Sequence, residues 1–223
     1  MPNRHHHTRG LGLTSSAVRA RLVDELRDQG VRDEKVLAAV GRIPRHEFVE
    51  DAWQAEAYRN RPLPIGHAQT ISQPYVVALM TQALLQGRAR PKRVLEVGTG
   101  SGYQTAVLAE LVDVVFSVER IRPLTELARQ RLERLGYRNV HFGYADGMLG
   151  WAPYAPFDGI IVTAGAARVP AALVEQLAPD GRLVIPVGPS GSQSLMLYER
   201  EGDHIRSHTL ADVSFVPLLA GRA

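Results

Sequence analysis

The chain has no cysteine in 223 residues. That excludes disulfides and thiolate-held iron–sulfur clusters, and with them radical chemistry that depends on a cysteine-bound cluster. Lysine is nearly missing too. Lys35 and Lys92 stand alone, so the basic residues are almost all arginine. These arginines are scattered rather than gathered, and aromatics make up only 6% of the chain. A nucleic-acid groove needs a basic patch interleaved with aromatics, so no nucleic-acid partner is expected. No apolar run is long enough to span a bilayer, and no signal-peptide pattern opens the chain. The expectation is a cytoplasmic protein without membrane contact. The formal charge of +3 adds little about partners. Repeats and low-complexity tracts are also missing.

What remains is ordinary for a globular protein: 45% hydrophobic residues and enough length for one sizeable core. The His5-His6-His7 run near the start lacks supporting ligands at metal-binding spacing, so no metal site is expected and the first twelve residues read as disordered.

The most informative stretch is Arg93-Val94-Leu95-Glu96-Val97-Gly98-Thr99-Gly100-Ser101-Gly102-Tyr103-Gln104-Thr105. Val94, Leu95 and Val97 read as a buried strand. Three glycines follow, and then Ala106, Val107, Leu108, Ala109 and Leu111 read as an amphipathic helix. Strand, glycine turn and helix form the first half of a nucleotide-binding unit. The spacing at Gly98, Gly100 and Gly102 is Gly-x-Gly-x-Gly, whereas a dinucleotide fingerprint is Gly-x-Gly-x-x-Gly. Glu96 at the strand end would repel a pyrophosphate but suits an amino group or a sulfonium. The loop therefore favours S-adenosylmethionine over a nicotinamide dinucleotide.

Upstream, helices are predicted with Val18, Leu22, Val23 and Leu26 inward, and then with Asp33 as cap and Val36, Leu37 and Val40 inward. Arg61 to Pro74 reads as a long irregular loop, a kind that is usually functional in compact domains. Ser72 followed by Pro74 reads as a helix N-cap with a first-turn proline. A plain cap and an anion site remain equal readings of Ser72.

Downstream, Val114 to Glu119 is a second strand ending in an acid. Glu119 lies about 20 residues past the glycines, where nucleotide-binding folds hold a ribose diol. Ile121 to Leu135 is a helix with Leu124, Leu127, Ala128, Leu132 and Leu135 inward. Asn139 to Phe142 is a third strand, and Asp146-Gly147 beyond it either reads an adenine amino group or is a turn. Phe157 to Ala164 is a buried fourth strand, Pro170 to Leu177 a helix, Pro179-Asp180-Gly181 a turn and Arg182 to Gly188 a fifth strand. Ser194 to Glu199, His204 to Thr209 and Val213 to Leu218 read as strands added antiparallel at one sheet edge. The fold class expected is α/β, a doubly wound, mostly parallel Rossmann-like methyltransferase sheet. An N-terminal helical segment with the loop (1–90) is expected to precede the cofactor-binding part with its C-terminal strands (91–223), the two forming one compact unit.

Leu63-Pro64-Ile65-Gly66, Gln69-Thr70-Ile71-Ser72-Gln73-Pro74, the glycine stretch, Ser117-Val118-Glu119-Arg120 and Phe157 to Ala164 together resemble the protein-L-isoaspartate (D-aspartate) O-methyltransferases of bacterial type, over about Leu22 to Leu218. The glycine loop is shared by many class I methyltransferases; the Thr-Ile-Ser-Gln-Pro segment narrows the family. The resemblance implies methyl transfer from S-adenosylmethionine to the free α-carboxylate of L-isoaspartyl residues in damaged proteins and peptides. S-Adenosylhomocysteine is the other product, and the ester then collapses to a succinimide. It implies Ser72 as the active-site serine. Gln69, Thr70, Ile71 and Ser72 would border cofactor and substrate, with Pro64 and Ile65 on the substrate side. Glu96, Gly98, Gly100, Gly102, Glu119, Asp146 and Gly147 would border the cofactor. Gly165 to Arg168 departs from the bacterial pattern. A class I methyltransferase acting on a small molecule or nucleic acid is the alternative. A monomer is the default.

Overall fold

The computed structural model describes residues 12–87 and 89–223, so the His5–His7 run and nearly all of the first twelve residues lie outside the described residues. Helices α1 (Ser16–Asp28) and α2 (Glu34–Arg42) pack against each other through Leu22, Leu26, Val36 and Val40. The Asp33 carboxylate caps α2, accepting from the Lys35 and Val36 amides at 2.8 and 3.2 Å. Two 3₁₀ turns, Arg45–Phe48 and Asp51–Glu56, follow. The expected loop then folds into a small antiparallel hairpin, β1 (Leu63–Pro64) with β2 (Thr70–Ile71). Its tip runs through Gly66, His67 and Ala68, all with positive φ.

Helix α3 (Pro74–Leu85) opens with proline in its first turn. Ser72 is not its cap: that position falls to Gln73, which makes no capping bond. The Ser72 carbonyl instead accepts from the Arg45 guanidinium at 2.8 Å, which holds Ser72 outside the helix.

Seven strands form the sheet: β3 (Arg93–Val97), β4 (Val114–Glu119), β5 (Val140–Tyr144), β6 (Phe157–Val162), β7 (Leu177–Val187), β8 (Gln193–Glu201) and β9 (His204–Val213). Their order is β5-β4-β3-β6-β7-β8-β9; β8 runs antiparallel to both of its neighbours, β7 and β9, and the other neighbouring pairs are parallel. Helices α4 (Tyr103–Leu111) and α5 (Arg122–Arg134) connect β3, β4 and β5, and α6 (Ala171–Glu175) precedes β7. Strand residues alternate between two apolar clusters. Val94, Val115 and Ile161 join the larger, with α1 to α5; Leu95, Phe116 and Ile160 join the other, with Leu173 of α6. Connections leave β3 toward β4 on one side and return through β6 on the other, so the chain reverses direction between β3 and β6. Open α/β sheets bind ligands at the carboxyl ends beside such a reversal.

Four expectations need correction. Helix α4 is not amphipathic: every residue from Tyr103 to Ala109 is buried, because α2 and α3 cover its outer side. Leu127 on α5 is 46% exposed rather than inward. Pro179-Asp180-Gly181 does not end an element; it belongs to a bulge inside β7, where Phe157 pairs with Leu177 but Gly159 with Arg182. Finally, Val213 to Leu218 is not a third tail strand. Beyond β9 it makes no ladder of its own: the Phe215 amide donates to the Gln193 side chain of β8 at 2.9 Å, and Gly165 donates to the Val216 carbonyl and accepts from the Leu218 amide.

Candidate active site

The carboxyl ends of β3, β4 and β6 open into a cleft of about 890 Å³. Its floor is the turn from Gly98 to Ser101. Gly98 has φ of +97°, and a Cβ there would stand 2.3 Å from Thr163 Oγ1. Only glycine allows that approach. The Thr163 hydroxyl donates to the Gly98 carbonyl at 2.6 Å, tying β6 to the turn. Gly102, at φ +89°, is the N-cap of α4, and a Cβ there would meet Leu132 Cδ1 at 2.7 Å. The third glycine therefore serves helix–helix packing against α5, and Gly102 is not part of the cleft wall.

Glu119 ends β4 on that wall. One of its carboxylate oxygens accepts from the Gly100 amide at 2.9 Å; the other accepts from the Arg120 and Ile121 amides at 2.8 and 2.9 Å. Three backbone donors thus fix the carboxylate while leaving acceptor capacity toward the cleft. Gly147 lies on the same wall. Asp146 does not: it caps the 3₁₀ turn Gly147–Leu149 through the Met148 amide at 2.9 Å and accepts from the Gly221 amide at 2.7 Å. The turn that the Asp-Gly pair allowed is formed, with Asp146 as its cap.

Glu96 was expected to face the cofactor and lies elsewhere. Strand alternation sends Val97 into the cleft wall and Glu96 to the sheet face under α4. There it is fully buried, and one oxygen accepts from the Thr105 and Ser117 hydroxyls, both at 2.5 Å. The other oxygen has no partner among the described residues. Burial pushes the carboxyl up to about 8.

The opposite wall comes from the hairpin. Gln69, Thr70, Ile71 and Ser72 all border the cleft, while Pro64 and Ile65 do not. Pro64 is exposed, and Ile65 packs beneath, its side chain directed at Gly100. A second groove, about 1010 Å³, runs away from the first between Pro62, Gln73, Asp212 and Phe215. The two cavities share Thr70, Ser72, Thr163 and Val216.

Sequence reasoning missed several wall residues. Thr99, Ser101, Gln104, Arg120, Ile121 and Thr163 contribute, and so does the segment Val216–Leu219. The last carries no sequence signal beyond an apolar alternation that reads as strand. Among the described residues no group of three or more His, Asp or Glu is placed to hold a metal ion. No described helix is long and apolar enough to cross a membrane.

A carboxylate and a glycine turn at the end of a parallel sheet, with the buried acceptor oxygen of Gln104 also lacking a partner among the described residues, suit an adenosine that carries a charged amino-acid arm. Fold and site define a class I S-adenosylmethionine-dependent methyltransferase. The family model described as protein-L-isoaspartate(D-aspartate) O-methyltransferase matches residues 17–223, and the chain belongs to that family. A protein-L-isoaspartate O-methyltransferase of Halorhodospira halophila is 53% identical over 219 residues, covering 98% of this chain and 99% of the relative. A solved protein-L-isoaspartate O-methyltransferase is similar with a TM-score of 0.80 and 31% identity, over 89% of this chain and 65% of that one. A Plasmodium falciparum structure, described as such a methyltransferase in complex with S-adenosyl-L-homocysteine, has a TM-score of 0.79 and 26% identity over 90% of this chain and 98% of that one.

Proposed function

We propose that this chain methylates the free α-carboxylate of L-isoaspartyl residues in damaged proteins and peptides, the first step of their repair through a succinimide. The observation that carries the reading is the pair of cavities meeting at Ser72. One is suited to the cofactor; the other is an open groove that leads away from Ser72 and is suited to a substrate chain. S-Adenosylmethionine supplies a methyl carbon on a sulfonium, whose transfer to a carboxylate oxygen leaves a neutral thioether and a methyl ester.

The acceptor needs no deprotonation by the protein. An α-carboxyl group has a reference pKa near 3.5 and is ionised at neutral pH. The work left for the protein is alignment, which supplies roughly 7–11 kcal/mol when reacting atoms are held at attack distance. Ser72 is the positioning hydroxyl for the substrate carboxylate, with Arg45 fixing its backbone from behind. Glu119 holds the ribose hydroxyls, the Gly98 and Gly100 backbone lies under the cofactor, and Gly147 borders the adenine. Gln69, Thr70 and Ile71 close over it from the hairpin. Glu96, Gly102 and Asp146 support these groups from outside the cleft, and Ile65 supports Gly100. The chain acts as a monomer in the cytoplasm, without nucleic acid.

Labelled cofactor, offered with matched isoaspartyl and aspartyl peptides, tests the reading. Base-labile label on the isoaspartyl peptide alone is expected; label on neither peptide refutes it. Ser72→Ala should lower kcat/KM on the isoaspartyl peptide by about tenfold to a hundredfold, the range for one hydrogen bond to a charged group, with a much smaller change in S-adenosylhomocysteine affinity.

A further inference from the structure

We propose that Gln104 binds the α-ammonium of S-adenosylmethionine through its side-chain oxygen, in an orientation set by Thr81; this rests on the cofactor reading of the cleft. Gln104 is the second residue of α4, is only 7% exposed, and forms part of the cleft wall. Its amide nitrogen meets Thr81 Oγ1 at 3.0 Å. The Thr81 hydroxyl is itself committed, donating to the Val77 carbonyl one turn back on α3 at 2.7 Å.

These two bonds fix the amide. A hydroxyl has one proton. With that proton on the Val77 carbonyl, Thr81 Oγ1 can only accept, so it must face the –NH₂ of Gln104 and not its oxygen. The oxygen then points away from Thr81, and among the described residues it has no partner. A buried amide oxygen is an acceptor only, and leaving it unmade is costly. It therefore calls for a donor from a ligand.

Position selects which donor. The adenosine hydroxyls belong with Glu119 and the adenine with Gly147, on the β4 and β5 side of the glycine turn. Gln104 stands toward α3, bonded to Thr81, and shares the lining of the cleft with Val77 of that helix. The cofactor's amino-acid arm extends away from the adenosine, and its one hydrogen-bond donor is the α-ammonium. The α-carboxylate of that arm has no proton to give at neutral pH. An amide oxygen held by its own nitrogen thus discriminates between the two ends of the same amino acid.

Calorimetry with two ligands tests this: S-adenosylhomocysteine, and its desamino analogue in which hydrogen replaces the α-ammonium. Gln104→Met should weaken S-adenosylhomocysteine by about tenfold to a hundredfold, the range of a hydrogen bond to a charged group, and leave the desamino analogue within about twofold. Thr81→Val, which frees the amide to turn, should move S-adenosylhomocysteine in the same direction by less and again spare the analogue. Equal loss for both ligands, or loss for neither, overturns the assignment. If the unaltered protein binds neither ligand, the cofactor reading itself fails, a result distinct from the other two.

Discussion

A carboxyl group with both faces of its environment closed to water is the most consequential single residue outside the cleft. Glu96 holds Thr105 of α4 and Ser117 of β4 together, and Ser117 in turn meets Thr99 of the glycine turn at 2.6 Å. Burial raises this carboxyl from 4.5 to about 8. A raised folded-state value means that the unfolded chain releases the proton first. The stability associated with the protonated form is complete below about 4.5 and is lost as pH rises through about 8. Stability of the unaltered protein should therefore fall, relative to Glu96→Gln, across that window, with a slope approaching roughly 1.4 kcal/mol per pH unit. Denaturant unfolding of both proteins at several pH values measures it, and a pH-independent difference would contradict it. The motif around Glu96 was legible in the sequence, as was Glu119 at its strand end. The face that Glu96 takes was equally implicit in the alternation of β3, but a motif read as a string hides it. Gln104 was not legible, because its partner Thr81 lies on a different helix and the commitment of that hydroxyl to Val77 is a matter of helix geometry.

At the scale of elements, one buried side chain, Arg45, ties together the two ends of the segment from Arg45 to Ser72. Arg45 is fully buried, donating to the Ala57 and Ser72 carbonyls, both at 2.8 Å, and its guanidinium lies 4.6 Å from the Tyr103 ring. It thus joins the N-terminal turns, the end of the hairpin and the start of α4. Burial lowers its pKa to about 10, so it stays charged at neutral pH. Arg45→Lys keeps the charge but replaces a planar fork with a point donor that cannot reach both carbonyls. We expect a loss of about 2–4 kcal/mol in stability, in the range for a disrupted buried charge, and a raised KM for the isoaspartyl peptide. Thermal melting and steady-state kinetics report the two effects; an unchanged melting temperature would show that the link is dispensable. Elements were legible where local pattern and burial agree, as for β4, which spans Val114–Glu119 as expected. They were not where tertiary packing decides. The outer side of α4 is covered by helices far away in sequence, and Val216–Leu219 alternates like a strand yet runs along the cleft.

For the whole molecule, the issue is whether the N-terminal helices form a separate unit or one body with the sheet. One apolar cluster takes in Leu22, Leu37, Phe48 and Leu84 from the first part and Val94, Val107, Val115 and Val184 from the second. Without α2 and α3, the buried helix α4 would present its whole outer side to water. We propose a single cooperative unit, in which the cofactor floor and the substrate wall are lost together. The two tryptophans make this testable, since Trp53 packs on the cluster shared with α1 to α3 and Trp151 on the cluster across the sheet. In Trp53→Phe the remaining emission reports the sheet; in Trp151→Phe it reports the N-terminal layer. Within each variant, fluorescence and far-ultraviolet circular dichroism should give coincident denaturant transitions, the mark of two-state unfolding. If the Trp53 signal were lost at lower denaturant than the circular dichroism in Trp151→Phe, the helical layer would be peeling from an intact sheet. Ser72 and its carbonyl anchor on Arg45 would then be released while Glu119 still stood on β4, and cofactor binding would outlast substrate binding as denaturant rises.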